Sequence, residues 1–63
     1  MYFITKTGST YVVDQKNCTV SSAKIGTLKY QEGFKPVIMA GQRAYFPLVN
    51  GELKTSVVAS VHA

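Results

Sequence analysis

Five glycines, at positions 8, 26, 33, 41 and 51, cut the chain into segments of strand length in which apolar and polar residues tend to alternate. The segments are rich in Val, Thr, Tyr, Phe and Ile, residues that suit a pleated, half-buried surface. Nowhere do apolar residues recur at i, i+3, i+4 and i+7 over two turns behind a capping residue. The pattern therefore predicts strands and no long helix.

In Thr7-Gly8-Ser9-Thr10 the glycine stands at the first central position of a two-residue loop, where a type II′ turn needs positive φ. With Thr7 opposite Thr10, Lys6 faces Tyr11, Ile4 faces Val13 and Tyr2 faces Gln15 on one side of the ribbon. Thr5 then faces Val12, and Phe3 faces Asp14, on the other. Ile4 with Val13 is the expected core pair, and Phe3 and Val12 are left for a second covered face or for use at the surface.

Asn50-Gly51 is the strongest turn signal in the chain. Pairing Val49 with Glu52 puts Ala44, Phe46 and Leu48 on one face with Leu53, Thr55 and Val57, and Ala59 and Val61 continue that face. Arg43, Tyr45, Pro47 and Val49 share the opposite side with Glu52, Lys54, Ser56 and Val58. Pro47 opposite Lys54 has no N–H for a hydrogen-bonded pair. A four-residue loop from Val49 to Glu52, or a bulge, turns the missing donor outward and loses about 1 kcal/mol at most. A one-residue slip would instead strip several buried side chains worth about 1.5 to 3 kcal/mol each. Either solution sets Pro47 near a sheet edge.

Between the hairpins, Asp14-Gln15-Lys16-Asn17 reads as a polar turn, Cys18 to Ser22 and Thr27 to Gln31 as short strands, and Glu32 to Pro36 as a loop. Val37-Ile38-Met39 reads as a further short strand ended by Gly41, and His62 and Ala63 as a frayed end.

With 63 residues, the chain is a single domain, residues 1–63, of a size that buries only about 60% of its unfolded surface. Apolar residues at 46% and charged ones at 16% place it among folded rather than disordered chains. One cysteine and one histidine exclude an internal disulfide and a zinc finger. The opening residues lack the basic and apolar regions of an export signal, no apolar stretch approaches the ~20 residues of a membrane span, and a reduced, cytoplasmic protein with no membrane partner is expected. Asn17-Cys18-Thr19 matches the glycosylation triplet but has no compartment in which to be used.

The means for catalysis are few. His62 stands at the end of the chain, Cys18 has no histidine near it and reads as a small apolar filler, and Asp14, Glu32 and Glu52 sit in or beside turns. No metal-ligand spacing and no glycine-rich phosphate loop is present, so neither an enzyme nor a bound cofactor is expected. A net charge of +4 favours polyanionic partners. Arg43, Tyr45 and Lys54 converge on the outer face of the second hairpin, Lys29 and Tyr30 lie in the basic stretch before it, and Lys6 pairs with Tyr11 on the first hairpin. Together they form a candidate surface on which single-stranded nucleic acid could stack and pair. The competing reading is protein recognition through an exposed sheet edge or through the surplus apolar residues Phe3, Val12, Val49 and Val58. Self-association through an edge strand stays open.

The opening Tyr2-Phe3-Ile4-Thr5, the strand Ser9-Thr10-Tyr11-Val12-Val13-Asp14 and the ending Leu53-Lys54-Thr55-Ser56-Val57-Val58 resemble a group of short proteins encoded by phages of actinobacteria. Those chains begin with a Thr-Tyr-x-Val-Asp strand and close on a Thr-Thr or Thr-Ser strand leading to valines. The likeness covers the two ends, while the middle departs from the pattern in length and charge. It implies a phage origin and action inside a bacterial host, and no site residues. The expected fold is an all-β barrel or strongly twisted antiparallel sheet of five or six short strands, of SH3-like size. The expected function is a non-catalytic binding module acting on a host protein, with nucleic-acid binding as the alternative.

Overall fold

The computed structural model describes residues 1–63. Six strands form: β1 (Tyr2–Thr5), β2 (Thr10–Asp14), β3 (Thr19–Ser22), β4 (Gly26–Lys29), β5 (Arg43–Leu48) and β6 (Gly51–His62). All neighbours are antiparallel, in the spatial order β4-β3-β2-β1-β6-β5. A four-strand meander is thus extended by the β5–β6 hairpin, which docks on β1 through β6. The sheet curls into a half-barrel whose outer strands meet at one point, where Tyr30 bridges Leu48 and the Gln31 N–H donates to the Pro47 carbonyl at 2.8 Å. The fold is all-β, as the alternation and turn residues predict.

The first hairpin corrects the expected register. Gly8 N–H donates to the Thr5 carbonyl and Thr5 N–H to the Ser9 carbonyl, each at 2.9 Å, so the loop is Lys6-Thr7-Gly8 with Gly8 last, at φ 89°. This is the three-residue loop that ends in a left-handed residue, which leaves Phe3 opposite Tyr11 and Tyr2 opposite Val12. The shift is by an odd number of residues, so it exchanges the faces. Phe3 is fully buried with Val13, Ile4 is only half-buried, and the expected pairs Ile4–Val13 and Lys6–Tyr11 do not form.

The second hairpin is shifted by two and keeps its faces. Leu48 pairs with Gly51 around the loop Val49-Asn50, Gly51 takes φ 127°, and Phe46 faces Leu53. Pro47 lies opposite Glu52 rather than Lys54, on the terminal strand of the sheet. Ala44, Phe46 and Thr55 are buried, with Leu48 and Leu53 half-buried beside them. Beyond Thr55 the expectation fails: the core residue is Val58, Val57 is half-buried, and Ala59 and Val61 are exposed. The register shifts between Arg43 and Tyr45 against β6, and again between Ile4 and Thr5, so the parity of β6 changes where it passes from one partner to the other.

At the first of these shifts Ala44 has no ladder partner, and its N–H donates instead to Thr55 Oγ1 at 3.1 Å, while the same hydroxyl donates to the Ser56 carbonyl at 2.7 Å. A buried side chain thus replaces the missing rung. The core is Phe3, Val13, Val20, Tyr30, Ala44, Phe46 and Val58. Its aromatic part stacks Phe3 on Tyr11 at 5.1 Å and Phe3 on Phe46 at 6.4 Å, with Tyr30 5.6 Å from Phe46.

Two smaller expectations are also corrected. Residues 37–39 form no strand, and His62 is not frayed but pairs with Tyr2, on which its ring stacks at 4.6 Å. Cys18 lies just before β3 at φ 54°, half-buried against the core.

Candidate binding surface

β5 alternates exposed and buried residues from Arg43 to Phe46, which turns Arg43 and Tyr45 outward while Ala44 and Phe46 enter the core. Lys54 stands directly opposite Tyr45 and is also exposed. The Lys6 N–H donates to the Val57 carbonyl at 2.8 Å, and Val57 is the partner of Arg43. Lys6 and Arg43 therefore flank β6 from its two sides at its bulge. Arg43, Tyr45, Lys54 and Lys6 form one basic region of the surface, with the Tyr45 ring held edge-on by Phe34 at 6.2 Å.

The remaining candidates lie elsewhere. Tyr30 is 1% exposed and packs against Phe46 and Phe34, so it offers no face to a ligand. Burial raises its phenol pKa above the ordinary value of 10.0, with smaller contributions from Cys18 and Asp14. Tyr11 is half-buried and stacked on Phe3. Lys29 is exposed beside the second turn, where Leu28, Lys29, Leu48, Val49 and Asn50 line a cleft of about 250 Å³. Of the surplus apolar residues, Phe3 and Val58 are core while Val12 and Val49 remain exposed.

All seven cationic side chains are exposed, against three carboxylates. One of these is already engaged: Asn17, through its side chain and its N–H, and then the Lys16 N–H hold Asp14 below the usual carboxylate range. No three His, Cys, Asp or Glu side chains come together as metal ligands would. His62 Nε2 and Ser60 Oγ are 2.9 Å apart on the outer face. A larger, open groove of about 530 Å³ runs between the Gly8 and Ala23-Lys24 turns, with Ser9, Thr10, Ser21, Ser22 and Thr27 among its lining residues. No helix is long and apolar enough to cross a membrane.

Sequence reasoning read a strand at residues 37–39 but missed that the segment linking Tyr30 to β5 has no strand to pair with. Burial alternates along it: Lys35, Val37 and Met39 are exposed, Pro36 and Ile38 half-buried, with Ile38 packed on the core. Period two marks extended chain. Val37 is 74% exposed and Met39 52%. The N–H groups of Lys35, Val37, Ile38, Met39 and Ala40 donate to no group of the chain. The signal was present in the apolar run Val37-Ile38-Met39, which has the composition of a strand but no neighbour to pair with. No protein-family model, curated protein or solved structure matches the chain.

Proposed function

We propose that this chain is a small non-catalytic binding module, phage-encoded, that recognises a protein of the bacterial host by accepting one of its strands along residues 35–39. The observation that carries the reading is an extended segment with unpaired N–H groups and outward Val37 and Met39. Such an edge supplies main-chain hydrogen bonds to an added strand and apolar positions for its side chains. The phage origin is supported by the likeness of the chain ends.

The test is capture from nuclease-treated bacterial lysate by the intact chain and by the double variant Val37→Glu, Met39→Glu, with folding checked by amide NMR spectra. A stoichiometric partner held by the parent and lost by the variant supports the reading. Equal capture by both, or no stoichiometric partner, overturns it.

A second reading rests on a different observation, the outward convergence of Arg43, Tyr45 and Lys54. A cation on each side of an exposed aromatic ring suits a base stacked on Tyr45 with its phosphates paired. This reading requires a mobility shift with single-stranded oligonucleotides at about 50 mM salt that weakens steeply as salt rises.

A further inference from the structure

We infer that the strand accepted at residues 35–39 is acidic at its ends, adds along the side carrying the Lys35, Val37 and Met39 N–H groups, and comes from another protein rather than from a second copy of this chain. The inference rests on the strand-addition reading and supplies its chemistry. In extended chain, alternate N–H groups point to opposite sides. Lys35, Val37 and Met39 therefore offer three donors to one side. Within residues 35–39 the other side has only the Ile38 donor, because Pro36 has no N–H and Ala40 already lies in the turn before Gly41. Only the first side can sustain a ladder.

Charge selects among strands that could pair there. Lys35 begins the segment and Arg43 follows it at the start of β5, both exposed. Lys54, also exposed, is the strand partner of Tyr45, whose ring contacts the Phe34 ring that precedes Lys35. The nearest carboxylate in sequence is Glu32, in the turn before Phe34. Carboxylates at the ends of an incoming strand would meet these cations, whereas a second copy would gather Lys35 and Arg43 of both chains along one seam, each chain carrying +4.

Amide exchange of the full chain, followed by NMR, separates the outcomes. The probes are three synthetic peptides of about nine residues that alternate valine and threonine, ending in glutamate, glutamine or lysine. The glutamate-ended peptide is expected to slow exchange at Lys35, Val37 and Met39 by about tenfold or more, with a smaller effect at Ile38, and to bind about tenfold tighter than the lysine-ended one at low salt. Lys35→Glu is expected to reverse that order. Equal binding of all three peptides at these amides overturns the acidic preference and leaves strand addition standing. No slowing with any peptide overturns both. Slowing that grows with protein concentration alone identifies a second copy as the occupant and overturns the inference.

Discussion

Phe3 and Phe46 stack across the interior with ring centroids 6.4 Å apart and planes 10° from parallel, although β6 lies between their strands. This contact joins the first hairpin to the second, in addition to the β1–β6 ladder and the Thr7–Ser56 hydroxyl pair. Loss of either ring would open the centre of a core of seven buried apolar residues.

Phe46→Ala and Phe3→Ala are each expected to cost about 3 to 5 kcal/mol. A chain of this length has a stability of only about 3 to 9 kcal/mol, so each variant should lose about a third of it or more, and unfold outright at the lower end of that range. Urea denaturation followed by circular dichroism measures the loss. A cooperative transition with an unshifted midpoint in either variant would contradict the stacking role.

Gly8 has open space around its missing side chain but takes φ 89°. Gly8→Ala is therefore expected to cost about 1 to 2 kcal/mol through backbone strain alone, and Gly8→Asn less, because Asn tolerates the left-handed region. Equal stability of the alanine variant would mean that the loop is not the one described.

Thr55→Val keeps the shape of a buried side chain but removes the acceptor of the Ala44 N–H. An unsatisfied buried donor costs about 1 to 3 kcal/mol, while Thr55→Ser retains the oxygen and should be milder. The Ala44 amide should also exchange faster in Thr55→Val than in Thr55→Ser, which amide NMR would read directly.

Tyr30 and Asp14 set opposite pH limits. The buried Tyr30 phenol has a raised pKa, so the unfolded chain releases that proton first and stability is expected to fall as pH rises above about 10. Tyr30→Phe keeps the ring and should flatten that decline. The Asp14 pKa is lowered in the folded chain, so its contribution is present above the ordinary value of 3.8 and is lost as pH falls through the folded value. Asp14→Asn should remove this acid-side dependence. Thermal melts from pH 3 to 11 test both, and unchanged slopes in the two variants would refute the assignments.

The outward set Arg43, Tyr45 and Lys54 was legible in the sequence because Asn50-Gly51 marks the turn and, up to Thr55, the true register differs from the expected one by two residues, which leaves those side chains on their faces. The pair Lys6–Tyr11 was not legible. One extra loop residue at Gly8 changed the parity of the first hairpin, put Phe3 against Tyr11 and removed Tyr11 from the candidate surface. Tyr30 alternates with Leu28 as a strand residue should, but that it points into the core follows from Phe46 and Phe34 packing on it from distant segments.

By itself the sequence determined the all-β class, the places where the chain turns and which residues of β5 face water. These depend on neighbouring residues: glycine tolerates positive φ, and strands alternate with period two. Only the tertiary structure decided the registers, the parity change in β6 that buries Val58 in place of Val57, and the unpaired state of residues 35–39. Those features are set by how the two hairpins share one small core, and a shift of a single residue exchanges inside for outside without altering any local preference.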